Sequence, residues 1–164
     1  MRAACKFCND KKDDWDVVAD PIINPVVDTP KDHLYIQAFR YYGRDKMGEN
    51  TIKAVGINNR NQFEKIRSEI AFEKADSVEK ILDNLDVADT NRKRHNAVFD
   101  TKQLLQECGP ENEFSSVIST FILYECDSFR KLKFKLQQFG LWDDELQSFE
   151  NNMIEIAMPL RSGN

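Results

Sequence analysis

The chain has 164 residues, 23 of them Lys or Arg and 28 Asp or Glu, for a net charge of −5. That length suits a single domain burying about 70% of the surface its unfolded chain exposes, and the acidic balance argues against a general polyanion binder. No apolar run nears the ~20 residues of a membrane span, no signal-peptide core opens the chain, and the 4 cysteines come without an Asn-x-Ser/Thr acceptor. The expectation is a soluble intracellular protein, cytoplasmic or nuclear, with no membrane partner.

Residues 1–31 read as an extended N-terminal arm ahead of one α+β domain at 32–164. The arm opens with Cys5-Lys6-Phe7-Cys8, and two thiolates at that spacing can clamp one side of a tetrahedral zinc. This is half a site. His33, His95, Cys108 or Cys126 would have to complete it through the fold, and inert terminal thiols or a redox pair are the competing readings. Structural zinc is therefore the one cofactor the sequence suggests. Prolines at 21, 25 and 30 exclude a helix and push their neighbours toward extended backbone. Ile22, Ile23, Val26 and Val27 then become docking points, either on the chain's own domain or on a partner.

Residues 33–42 alternate Leu34, Ile36 and Ala38 against Tyr35, Phe39 and Tyr41, which predicts one strand with an aromatic row. Residues 43–50 carry the glycine spacing of a Walker loop, but Glu49 and Asn50 stand where Lys and Ser/Thr should hold phosphate and magnesium. They are expected to be a hairpin loop leading to a second strand at 51–57.

Everything later is expected to be helical, in about five helices. Phe63, Ile66 and Ile70 mark one. Asp76 and Glu79 resemble a capping box opening another. Residues 86–95 read as a polar connection containing Arg92, Lys93 and Arg94, and a helix through Ala97, Val98, Leu104 and Leu105 ends at Gly109-Pro110. At 114–142 an apolar stripe of Phe114, Ile118, Ile122, Cys126, Phe129, Leu132, Leu136 and Phe139 recurs at helical spacing, broadened by Val117 and Phe121. Its first half should be the central core helix. A break near Asp127 is expected, with Gly140 as the stop. A final helix follows Asp143, Asp144 and Glu145, burying Leu146, Phe149, Met153 and Ile156. The fold class is thus α+β, predominantly helical, with one antiparallel hairpin near the N-terminus.

The chemistry is sparse. No Gly-x-Ser-x-Gly elbow or phosphatase loop occurs. Asp100-Thr101-Lys102 with Asp86 or Asp89 formally matches a metal nuclease, but a solvated helix start explains the same residues. The expectation is a non-enzymatic interaction module, an adaptor or regulator that binds a protein through Ile22, Ile23, Val26, Val27, Tyr35, Phe39 and Tyr41. The alternative is a nucleic-acid-binding protein, with or without a stabilising zinc, or an acidic-partner surface, built from Arg92, Lys93, Arg94, Arg130, Lys131, Lys133 and Lys135. The simpler account of the last four is the solvated side of an amphipathic helix, so truncating Lys133 should cost little.

Overall fold

Pro30 opens the first regular element because its fixed φ suits a first helical turn. In the computed structural model, which describes residues 15–58 and 61–161, that turn is α1, Pro30–His33. It leads into β1 (Leu34–Gln37), which pairs antiparallel with β2 (Arg40–Gly43) in the register Leu34↔Gly43 to Gln37↔Arg40. The turn between them is Ala38-Phe39, with φ of 47° and 62°. Positive φ at both central residues is the mirror-image turn whose twist matches a two-residue hairpin. All of the hairpin except Gly43 therefore lies inside the segment that alternation marks as a single strand.

The expected second strand at 51–57 is instead the end of α2, Lys46–Val55. Asp45 caps this helix by accepting from the Gly48 amide at 2.8 Å, and Gly56 closes it in the left-handed region with φ 61°. Capping outweighs the strand preference of Thr51, Ile52 and Val55. Residues 43–50 are thus a capped helix start. Gly48 is required there by packing, since a Cβ at that position would lie 2.0 Å from the His33 carbonyl oxygen.

The chain divides into two compact units, Met1–Ile66 with Met158–Asn164 and Arg67–Ala157. In the first, Ile23, Leu34, Ile36, Tyr41 and Ala54 are buried. Both hairpin edges are occupied at their centre. The Ile36 amide donates to the Pro159 carbonyl at 3.2 Å in a short parallel bridge with Leu160, and the Asn58 side chain bonds both backbone groups of Tyr41. A free edge for an added strand is thereby removed at these positions.

Five helices follow α2: α3 (Asn61–Asp86), α4 (Asn91–Glu107), α5 (Ser115–Tyr124), α6 (Asp127–Gln138) and α7 (Asp144–Ile156). Counting α1 and α2, seven helices and one hairpin lie among the described residues. The α+β, mostly helical class expected from the sequence holds. Two details differ. Asp76 opens no helix but sits inside the 26-residue α3, where the flanking apolar spacing is continuous enough to carry the backbone through. Arg92, Lys93 and Arg94 lie in the first turn of α4, capped by Thr90, instead of in a connection.

The second unit's core gathers Val78, Ile81, Leu85, Leu104, Leu105, Ile118, Ile122, Phe129, Leu132, Leu136, Leu146 and Met153. The stripe at 114–142 breaks where expected, but Cys126 occupies the cap position and Asp127 is the first helical residue. Phe121, read from the stripe as central, is half-buried against the core and meets Phe72 edge-on at 5.6 Å. Gly140, at φ 66°, ends α6 with paired bonds from Gly140 to Gln137 and from Leu141 to Leu136, the double closure of a left-handed helix cap. Among the described residues no helix is long and apolar enough to cross a membrane.

Candidate protein-interaction surface

The arm presents apolar side chains on hydrogen-bonded turns. Asp16 accepts from the amides of Val18 and Ala19 at 3.0 and 3.1 Å, its carbonyl accepts from Asp20, and the Trp15 indole donates to the Asp20 carbonyl at 2.7 Å. The side chain of an aspartate closing on its own following amides makes such a turn. Val17 and Val18 project from it, Val18 being 90% exposed.

The chain is next fastened to the first unit. Asn50, itself buried, donates to the Pro21 carbonyl at 3.2 Å, and the Ile23 amide donates to the Thr51 hydroxyl at 2.9 Å. A second turn follows, in which the Asn24 carbonyl accepts from Val27 and Asp28, the Asn24 side chain accepts from Val26, and Asp28 accepts from the Asn24 amide at 2.8 Å. Val26 and Val27 sit at its tip, 87% and 76% exposed. The arm is therefore not extended through Pro30. Asn24 and Asp28 satisfy one another and bend it.

The other residues marked in the sequence divide. Ile23 and Tyr41 are buried and Ile22 is partly so, whereas Tyr35 and Phe39 are partly exposed. The aromatic row does not form. The turn at Ala38-Phe39 reverses the chain, so Tyr41 is buried opposite Ile36 while Tyr35 stacks on Tyr42 with ring centroids 5.3 Å apart. Val17, Val18 and Tyr42 were missed in the sequence, although Asp16 two residues before Val18 carried the turn signal.

Most of the basic residues are matched with acids. Lys93 pairs with Asp89 at 2.9 Å, Arg130 with Asp127, Lys135 with Asp86, and Lys133 with buried Glu150 at 2.6 Å. Arg94 lies 4.7 Å from the Phe139 ring centroid. Arg92 and Lys131 are exposed. Lys133 corrects the simple reading of a solvated flank: its ammonium bonds both carboxylate oxygens of a residue only 5% exposed.

Cys5 and Cys8 lie outside the described residues. Cys108 and Cys126 are free and buried, and loss of solvation pushes the Cys108 thiol up to about 12 and the Cys126 thiol upward as well. His33 is engaged with Asp45 at 2.6 Å and His95 with the Asn91 carbonyl at 2.7 Å. Among the described residues no group of three or more His, Cys, Asp and Glu comes together to hold a metal. Lys102 of the formal nuclease match is bound to Asp143 at 2.6 Å and Glu145 at 2.5 Å, and Thr101 is buried on the Ala97 carbonyl.

No family model matches the chain, and no solved structure matches it. It is 32% identical over 154 residues to the Septu protein PtuB of Bacillus thuringiensis. That similarity takes in 91% of this chain but 60% of the relative, so the chain spans about three fifths of the length of the curated protein it resembles.

Proposed function

We propose that this chain is a non-enzymatic interaction segment which binds a protein partner through the valine-bearing turns of its arm and the partly exposed Tyr35–Tyr42 stack. Its setting is a bacterial cell, in the part played there by Septu proteins such as the PtuB relative. The observation that carries this reading is the exposure of Val26 and Val27 at the tip of a turn closed by Asn24 and Asp28. An apolar pair held at a hydrogen-bonded tip loses little conformational freedom on docking, so more of its burial is realised as affinity. The pairing of Lys93, Arg130, Lys133 and Lys135 with carboxylates favours a protein partner over nucleic acid, because a paired cation has less to gain from phosphate.

The test is co-purification from the source bacterium of the chain and of Val26→Asp/Val27→Asp, with bound proteins quantified by mass spectrometry. The expected result is a stoichiometric partner lost in the variant while the melting temperature stays unchanged. Equal recovery of the partner by both proteins would refute the assignment to this turn.

A further inference from the structure

Two apolar tips stand on the arm, Val17-Val18 and Val26-Val27, with Asp16 and Asp20 flanking the first and Asp28 and Asp32 following the second. Among the described residues, Val18, Val26 and Val27 are the most exposed large apolar side chains, so they have the most apolar surface to lose to a partner. The chain between the tips is held by α2, through Asn50 to the Pro21 carbonyl and Thr51 to the Ile23 amide. The charge beside the tips has one sign. Residues 16–32 contain 4 Asp and 1 Lys. Asp16 accepts from the Val18 and Ala19 amides, Asp28 from the Asn24 amide, and Asp20 from the Asn50 carboxamide at 3.4 Å. These donors are all neutral, and no Lys, Arg or His of the described residues pairs with any of the four aspartates. Elsewhere Glu64, Asp86, Asp127 and Glu150 are each held by a Lys or Arg. A neutral donor does not cancel a carboxylate's charge, so the valines sit in an uncompensated negative field.

We infer that the arm docks on a protein surface whose apolar pockets are rimmed by Lys and Arg, the valines filling the pockets and Asp20 and Asp32 meeting the cations. A nucleic-acid backbone or an anionic bilayer would meet like charge there, as would an acidic protein surface. The valines supply affinity by burial, while the aspartates steer encounter and fix register. This pairing presupposes that the valine-bearing turns are the docking surface, and adds the chemistry of what they meet.

The protein captured by the whole chain is returned to it in surface plasmon resonance at about 50 and about 500 mM NaCl. The association rate constant should fall by about tenfold or more across that range, with a smaller change in dissociation. Asp20→Lys/Asp32→Lys leaves the turn-closing Asp16 and Asp28 in place, and should slow association at the lower salt by about tenfold. Asp20→Asn/Asp32→Asn should slow it less, and this variant carries the comparison where the charge reversal disturbs the melting temperature. A rate indifferent to salt and to both variants, with the partner still lost on Val26→Asp/Val27→Asp, would overturn the basic rim and leave the valine surface standing. Faster association of the lysine variant would overturn it as well, by showing an acidic rim. A partner retained by the valine variant would remove the docking surface and the rim together. So would capture of no protein, or of nucleic acid or lipid in its place.

Discussion

Replacing Lys133 with Met should destabilise the second unit far more than a surface lysine warrants. Its ammonium lies 2.6 Å from each carboxylate oxygen of Glu150 and 5.2 Å from the Trp142 ring centroid. Gln147 joins the same group, donating to Glu150 at 3.1 Å and accepting from the Trp142 indole at 3.1 Å. Glu150 is 5% exposed, so removing Lys133 leaves a buried carboxylate with Gln147 as its remaining side-chain donor. Breaking a fully buried pair costs about 3–5 kcal/mol. The Lys133 side chain keeps 28% of its exposure, and water can partly take its place, which reduces the expected loss to about 2–3 kcal/mol. Urea unfolding followed by Trp142 fluorescence in a Trp15→Phe background reads this unit, and the midpoint should fall by about 1 M. Lys133→Met/Glu150→Met removes the orphaned charge and should recover most of the loss. A single-variant loss below about 0.5 kcal/mol, or a double variant less stable than the single, would refute the reasoning.

Gly48→Ala should destabilise the first unit by more than the ~1 kcal/mol of an ordinary helix substitution, and with the opposite sign, because its Cβ would lie 2.0 Å from the His33 oxygen; a rise in the Trp15-reported midpoint would contradict the packing. Ala38→Gly should raise the stability of that unit by about 0.5–1 kcal/mol, since φ 47° strains alanine but not glycine, and a loss would show that the turn relaxes otherwise. The Gly48 amide and His33 lower the pKa of Asp45, and Lys102 and the Leu146 amide lower that of Asp143. Each therefore contributes stability above the ordinary carboxylate value of 3.8 that is lost as pH falls below it. Lys102, raised above 10.5 by Asp143 and Glu145, contributes stability below that pH and loses it above. Asp45→Asn and Asp143→Asn should flatten the acid limb of a pH–stability profile, and unchanged limbs would remove the carboxylates from this role.

The helical half of the fold was legible because its signals agree with one another. The stripe through Ile118, Ile122, Phe129, Leu132 and Leu136 supplied the core, and Gly140 and Asp143 marked real ends. The N-terminal half was not, because propensity and capping conflict there. Thr51, Ile52 and Val55 favour a strand, while Asp45, bonded to Gly48 and His33, starts a helix. No glycine or asparagine announces the hairpin turn, which is made by Ala38 and Phe39. Of the proposed interaction surface, Val26 and Val27 were visible beside the prolines. The burial of Ile23 and Tyr41 was hidden, because it depends on Thr51 and Asn58, which are distant in sequence. The partner of Lys133 was hidden for the same reason, since Glu150 lies on another helix.

Amide hydrogen exchange on the chain alone and in complex with its captured partner tests the interaction reading most directly. Protection is predicted over residues 17–28 and around Tyr35 and Tyr42, where Val18, Val26 and Val27 are exposed in the free chain. Protection confined to residues 92–94 and 130–135, with the valine-bearing turns exchanging at unchanged rates, would contradict the account and move the binding surface to the basic helices.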